Sequence, residues 1–152
     1  MLKDKMFIYS KPQKTKKTKL GVIFYMRGRK FKEKPGRELH VAFDGRLPLI
    51  KGFQARYIYW VKFFKKNNFA GNHYHLHKKE LFMPLVGNFL VKLRDEKTKK
   101  TEEIRIKEQD KIILYVKSYI AHKVISKSNK SILLVVATHP DSFVEEIKTN
   151  PL

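Results

Sequence analysis

The residues best able to do chemistry in this chain lie within ten positions, in the segment GNHYHLHKKE at 71–80. His73, His75 and His77 take alternate positions there, and Glu80 closes the run. An imidazole with an unperturbed pKa near 6.5 accepts and returns protons at neutral pH, and its bare nitrogen also ligates transition metals. On a strand, side chains two apart project from one face, so the rings would converge if that face lines a barrel interior. The same alternation fits a solvent-facing stripe, because Lys78 and Lys79 follow at once.

The elements that must position these groups read as strands. Short β-branched and aromatic runs between turn and charge clusters predict strands at 20–26, 39–42, 55–64, 72–77, 81–86, 89–93, 102–106, 111–116, 121–125 and 131–138. Residues 94–100, RDEKTKK, form an exposed hairpin connection by composition. A helix or turn is expected only in the tail, over 141–148, with Asp141 or Ser142 as its cap. Many short strands at close spacing predict an all-β sandwich or barrel. The lysine-rich residues 1–19 are expected to form a basic N-terminal arm, and 20–152 a single domain.

Composition narrows the class. The chain has 152 residues, 42% of them hydrophobic, which suits one globular domain with a real core rather than disorder. It contains no cysteine, which removes disulfides and thiolate ligands. No apolar run is long enough to span a bilayer, and the first residues lack the pattern of a signal peptide, so the expected location is cytoplasmic. The formal net charge of +20 would attract nucleic acid, an anionic membrane or a phosphorylated metabolite. The basic runs at 14–19 and 27–34 carry no zinc-finger spacing, RNP-type aromatics or basic heptads, which argues against specific nucleic-acid binding. An anionic metabolite is the favoured partner.

The spacing from His73 through Glu80 to Gly87, H-x-H-x4-E-x6-G, resembles the first sequence motif of the cupin superfamily. In that motif the histidines share a strand, the acid lies on the next, and the glycine turns the following hairpin. The segment ILYVKSYIAHKV places His122 where the second motif carries its histidine, with Lys117 and Ser118 in place of a Pro-Pro step. The chain is most similar to the WxcM-like and dTDP-sugar 3,4-ketoisomerase cupins, from about Asp44 to the C-terminus. Those proteins carry an R-x-x-Y stretch, matched by Arg56 and Tyr59, and an R-G-x-H-x-H-K-K stretch, matched at Gly71, His73 and His75. The arginine before that glycine is Ala70 here. The resemblance implies a double-stranded β-helix (jelly-roll) barrel with an extra N-terminal strand or arm, assembled as a homodimer.

It also implies a cofactor-independent isomerisation or epimerisation of a 4-keto-6-deoxy nucleotide sugar in surface-polysaccharide synthesis. His73 or His75 would act as the base and Tyr59 as proton donor or carbonyl polariser. Arg56, Glu80 and His122 would bind substrate, Arg56 by holding a phosphate or fixing the tyrosine. Lys62, Lys65, Lys66 or Lys78 could offer further charge to a pyrophosphate. Two other classes use the same residues. His73, His75, Glu80 and His122 form a 3-His-1-Glu set suited to Fe, Mn, Ni, Zn or Cu. A non-catalytic, sugar-binding barrel could instead stack a ring on the aromatics Tyr57, Tyr59, Trp60, Phe63 and Phe64. His77 lies outside the motif spacing and reads as a rim residue, while His40 and His139 stand alone.

Overall fold

The structure, a computed structural model, describes residues 7–142 and 145–152. In chain order the strands are β1 (Lys14–Lys17), β2 (Val22–Tyr25), β3 (Arg29–Lys30), β4 (Glu38–Leu39), β5 (Tyr57–Phe63), β6 (Phe69–His75), β7 (Glu80–Val86), β8 (Asn88–Asp95), β9 (Thr101–Lys107), β10 (Ile112–Val116), β11 (Ile120–Ser126), β12 (Ser131–Ala137) and β13 (Glu146–Lys148). They pair antiparallel into a six-stranded sheet, order β1-β2-β10-β7-β12-β5, and a five-stranded sheet, order β13-β6-β11-β8-β9. A small β3–β4 ribbon stands apart from both.

Alternation along the strands builds the core between the sheets. On β5, Tyr59, Val61 and Phe63 pack inward, while Ile58, Trp60 and Lys62 face out. Phe89, Val91 and Leu93 of β8 meet Ile104 and Ile106 of β9 in the same interior. Each such fully buried side chain contributes roughly 2 kcal/mol of transfer free energy. Glu102 closes one side: its carboxylate accepts from the Thr18 hydroxyl at 2.9 Å, the Lys19 amide at 3.1 Å and the Leu20 amide at 2.7 Å. Gly87, at φ +81°, makes the β7–β8 turn that its spacing predicts.

The all-β expectation and the ten predicted strand positions find strands; β6 runs Phe69–His75 rather than over 72–77, and three further regions differ. The strand expected over 39–42 ends at Leu39, because Ala42, Phe43, Leu49, Ile50 and Phe53 instead cover Leu81, Met83, Ile113 and Val136 on the outer face of the six-stranded sheet. Within the expected arm, Lys14–Lys17 bonds along β2 as β1. In the tail, where a helix or turn was expected over 141–148, residues 143 and 144 lie outside the described set, and Glu146–Lys148 is strand β13. Its backbone groups find partners on the open edge of β6, which a short helix would leave unpaired. Among the described residues, no helix is long and apolar enough to cross a membrane.

Candidate functional site

A break in β6 brings the histidines together. Gly71 and Asn72 both have positive φ, +89° and +75°, and the β6–β11 register shifts between His122 and Lys123. A Cβ on Gly71 would meet the His122 carbonyl oxygen at 2.6 Å, so glycine is what lets the two strands approach there. His73 then stands opposite His122 across the sheet. The ring centroids of His73 lie 4.8 Å from those of both His75 and His122. One nitrogen from each of the three rings falls within 4.8 Å of the others.

Glu80, the first residue of β7, projects into the same space and is buried. Its Oε1 accepts from the Tyr59 hydroxyl at 3.2 Å. Its Oε2 lies 3.2 Å from His122 Nε2 and 3.6 Å from His75 Nε2, without an aligned hydrogen bond. Both ring nitrogens of His75 are likewise buried without a partner. Desolvation sets the protonation states. It raises the Glu80 pKa, lowers that of His75 strongly, and brings His122 down to about 4. The His73 pKa is also lowered by burial, with Glu146 and Glu80 opposing. Burial, followed by the charge of Glu80, raises the Tyr59 pKa and keeps the phenol protonated.

Lys78 departs from the solvent-stripe expectation, for its side chain is only 1% exposed. Its Nζ lies 2.6 Å from Asp141 Oδ1 and 3.4 Å from Glu80 Oε1. The same ammonium sits about 5.5 Å from the Tyr57 and Tyr59 ring centres. A buried lysine needs such partners, because an uncompensated ammonium in the interior is costly.

The C-terminal segment completes the site. β13 places Glu146 beside β6, where its Oε1 lies 3.2 Å from His73 Nδ1. Glu145 accepts from the amides of His77 and Lys78, and its Oε2 lies 2.9 Å from His77 Nδ1. His77 is therefore a rim residue that fastens the tail, with its ring largely in solvent. Tyr59, Ala70, His73, Glu80, His122 and Glu146 are among the residues lining a cavity of about 190 Å³, which Asp141 also borders.

Tyr59, His73, His75, Glu80 and His122 are thus brought together as the sequence suggested. Arg56 is exposed, donates from Nη2 to Gln54 Oε1 at 2.9 Å, and does not line the cavity. No lysine or arginine does so among the described residues, and Ala70 forms an uncharged wall there. The sequence does not mark Lys78 as buried, offers Asp141 only as a helix cap, and does not single out Glu146. Nothing local distinguishes the two acids from ordinary tail residues.

Several solved structures share this fold. The TDP-quinovose 3,4-ketoisomerase WlaRB from Campylobacter jejuni superposes with a TM-score of 0.72 at 19% identity, over 87% of this chain and 95% of that one. A mutant of the 3,4-ketoisomerase QdtA from Thermoanaerobacterium thermosaccharolyticum, in complex with TDP-4-keto-6-deoxyglucose, gives 0.72 at 14% identity, over 88% and 90%. The epimerase RmlC from Legionella pneumophila, in complex with dTDP-4-keto-L-rhamnose, gives 0.74 at 13% identity, over 89% and 76%. The two-sheet barrel is therefore the cupin jelly roll that the sequence resemblance implied. Among curated proteins, no sequence match is found. The family model described as the polysaccharide biosynthesis C-terminal domain matches residues 55–148, from the approach to β5 through β13, and the chain belongs to that family.

Proposed function

We propose that this protein isomerises or epimerises a nucleotide-linked 4-keto-6-deoxyhexose in surface-polysaccharide synthesis, by proton transfer at His73. The observation that carries this reading is the His73–Glu146 pair on the cavity wall, at 3.2 Å. A carboxylate charge beside Nδ1 favours the proton on that nitrogen and leaves Nε2 bare, which is the form a general base needs. His73 takes the proton from the carbon next to the carbonyl, giving an enediol, and a proton returns to the neighbouring carbon or the opposite face. Tyr59, kept as a phenol, donates to the carbonyl oxygen. His75, His122 and Glu80 form the dry floor that holds these two groups in place. Among the described residues the cavity lining offers the nucleotide diphosphate no cation, so the diphosphate lies outside it, on the side where Arg56 is exposed. The reading is supported by the fold shared with structures holding TDP-4-keto-6-deoxyglucose and dTDP-4-keto-L-rhamnose. The protein acts in the cytoplasm, and the exposed Ile58 and Trp60 on edge strand β5 favour a homodimer. Incubation with dTDP-4-keto-6-deoxyglucose, followed by NMR of the sugar carbons, tests it. A new keto-sugar isomer is expected; unchanged substrate would leave a sugar-binding barrel in its place.

A second reading is favoured by the buried, unpartnered atoms of the site: both nitrogens of His75 and Glu80 Oε2. Three imidazoles with nitrogens within 4.8 Å of one another, beside a carboxylate, fit a divalent transition metal. His73, His75, His122 and Glu80 would hold it, and it would supply Lewis-acid polarisation of a substrate oxygen. Elemental analysis of protein purified without added metal decides between the readings. A stoichiometric metal that is lost in His75→Ala supports this second one.

A further inference from the structure

We propose that the barrel end opposite the histidine site is a docking surface for an anionic lipid bilayer. The β5–β6 connection, which crosses from one sheet to the other, presents Phe64 and Phe69 to solvent, 76% and 56% exposed, around Lys65 and Lys66. Val86, at the end of β7, lies exposed at the same barrel end, paired in register with Ile132. The β11–β12 turn adds Lys127 and Lys130.

This end is fixed in shape. Asn67 donates its amide to the Ser126 carbonyl at 2.8 Å, and Ser126 returns an amide to the Asn68 carbonyl at 2.9 Å. Lys66 donates its amide to Asn129 Oδ1 at 3.2 Å, and Lys127 Nζ donates to Asn67 Oδ1 at 3.1 Å. The two turns are stitched into one platform, so the aromatic rings are held outward rather than left to fold back. Lys123 Nζ sits 4.1 Å from the Phe69 ring centre and adds charge beside it.

Charge complementarity selects the occupant. Residues 45–79 and 111–140, which supply both turns, contain no aspartate or glutamate. Glu108 reaches this end, and its carboxylate accepts from the Gly87 amide. Two copies of such a face would repel, which argues against self-docking. Nucleic acid would use the lysines and rings but gains nothing from an exposed valine, and no arginine lies in either turn. Lysines flanking exposed aromatic and aliphatic side chains match a bilayer interface, where the rings enter the headgroup region and the ammonium groups meet anionic lipid.

Vesicle flotation of the full chain tests the proposal. Binding to vesicles of phosphatidylglycerol with phosphatidylcholine is expected, with little binding to phosphatidylcholine alone. The double variant Lys65→Glu/Lys66→Glu should weaken the partition about tenfold or more. Phe64→Ser/Phe69→Ser should weaken it comparably, with the thermal transition and oligomeric state unchanged because these side chains are exposed. A control, Lys97→Glu/Lys99→Glu on the β8–β9 turn at the other barrel end, should lose much less. Equal loss in the control, or no loss in the phenylalanine variant, would overturn the proposal by reducing it to attraction by net charge. So would absence of binding to anionic vesicles, binding of single-stranded DNA that is lost in the same two variants, or a change of oligomeric state in either.

Discussion

Lys78 and Asp141 meet at 2.6 Å, the lysine sealed in the interior and the aspartate half in solvent. The pair joins the end of the β6–β7 connection to the tail that carries Glu146, so it holds the base and its orienting carboxylate in one frame.

Its asymmetry has a measurable consequence. Removing Asp141 leaves a buried ammonium with only Glu80 for compensation, whereas removing Lys78 leaves an aspartate that water can solvate and a Glu80 that burial already biases toward its neutral form. Asp141→Asn should therefore destabilise by roughly 3 kcal/mol, and Lys78→Met by clearly less. Urea unfolding of both variants checks the order, and the reverse order would contradict the pairing.

Glu146 is expected to act through His73. Its charge raises the His73 pKa against burial. Glu146→Gln should thus move the acidic limb of kcat/KM to lower pH, while the plateau falls as the ring loses its fixed tautomer. A pH–rate profile reads both effects at once.

Tyr59→Phe removes the phenol proton but leaves Lys78 beside Glu80 Oε1. Turnover should drop by roughly 10²- to 10⁴-fold with a small change in thermal stability. A large loss of stability with intact turnover would make the tyrosine a packing residue.

Acid stability should follow His122. Its unfolded pKa of 6.5 falls to about 4 on burial, so between those values the unfolded chain binds more protons than the folded one. Its contribution is complete above 6.5 and is lost as the pH falls to about 4, a difference on the order of 3 kcal/mol. Glu80, whose pKa is raised by burial, works in the opposite sense: its contribution is complete below 4.5 and is lost as the pH rises through its folded value. Denaturation midpoints across pH should therefore fall more steeply toward acid in Glu80→Gln than in the unmodified protein, and less steeply in His122→Leu.

Much of the molecule was legible because its signals are local. The inward Tyr59, Val61 and Phe63 and outward Ile58, Trp60 and Lys62 follow from period-two alternation alone. The spacing of His73, His75, Glu80 and Gly87 is short enough to be read as one motif. The unreadable parts depend on distant chain. Lys14–Lys17 has no strand-forming composition and is a strand because β2 offers a register for it. β13 exists because β6 has a free edge. Lys78 looked like solvent decoration because its partner, Asp141, lies 63 residues away. Arg56 matched the R-x-x-Y spacing, yet its place before the start of β5 leaves the guanidinium outside.

The central claim is that His73 exchanges a proton with carbon. Incubation with dTDP-4-keto-6-deoxyglucose in deuterated water, read by mass spectrometry and proton NMR, measures this directly. Deuterium is expected at the carbon next to the carbonyl with the unmodified protein, and none above background with His73→Asn. Undiminished exchange in His73→Asn, or no exchange in either protein while the sugar nucleotide binds, would contradict it.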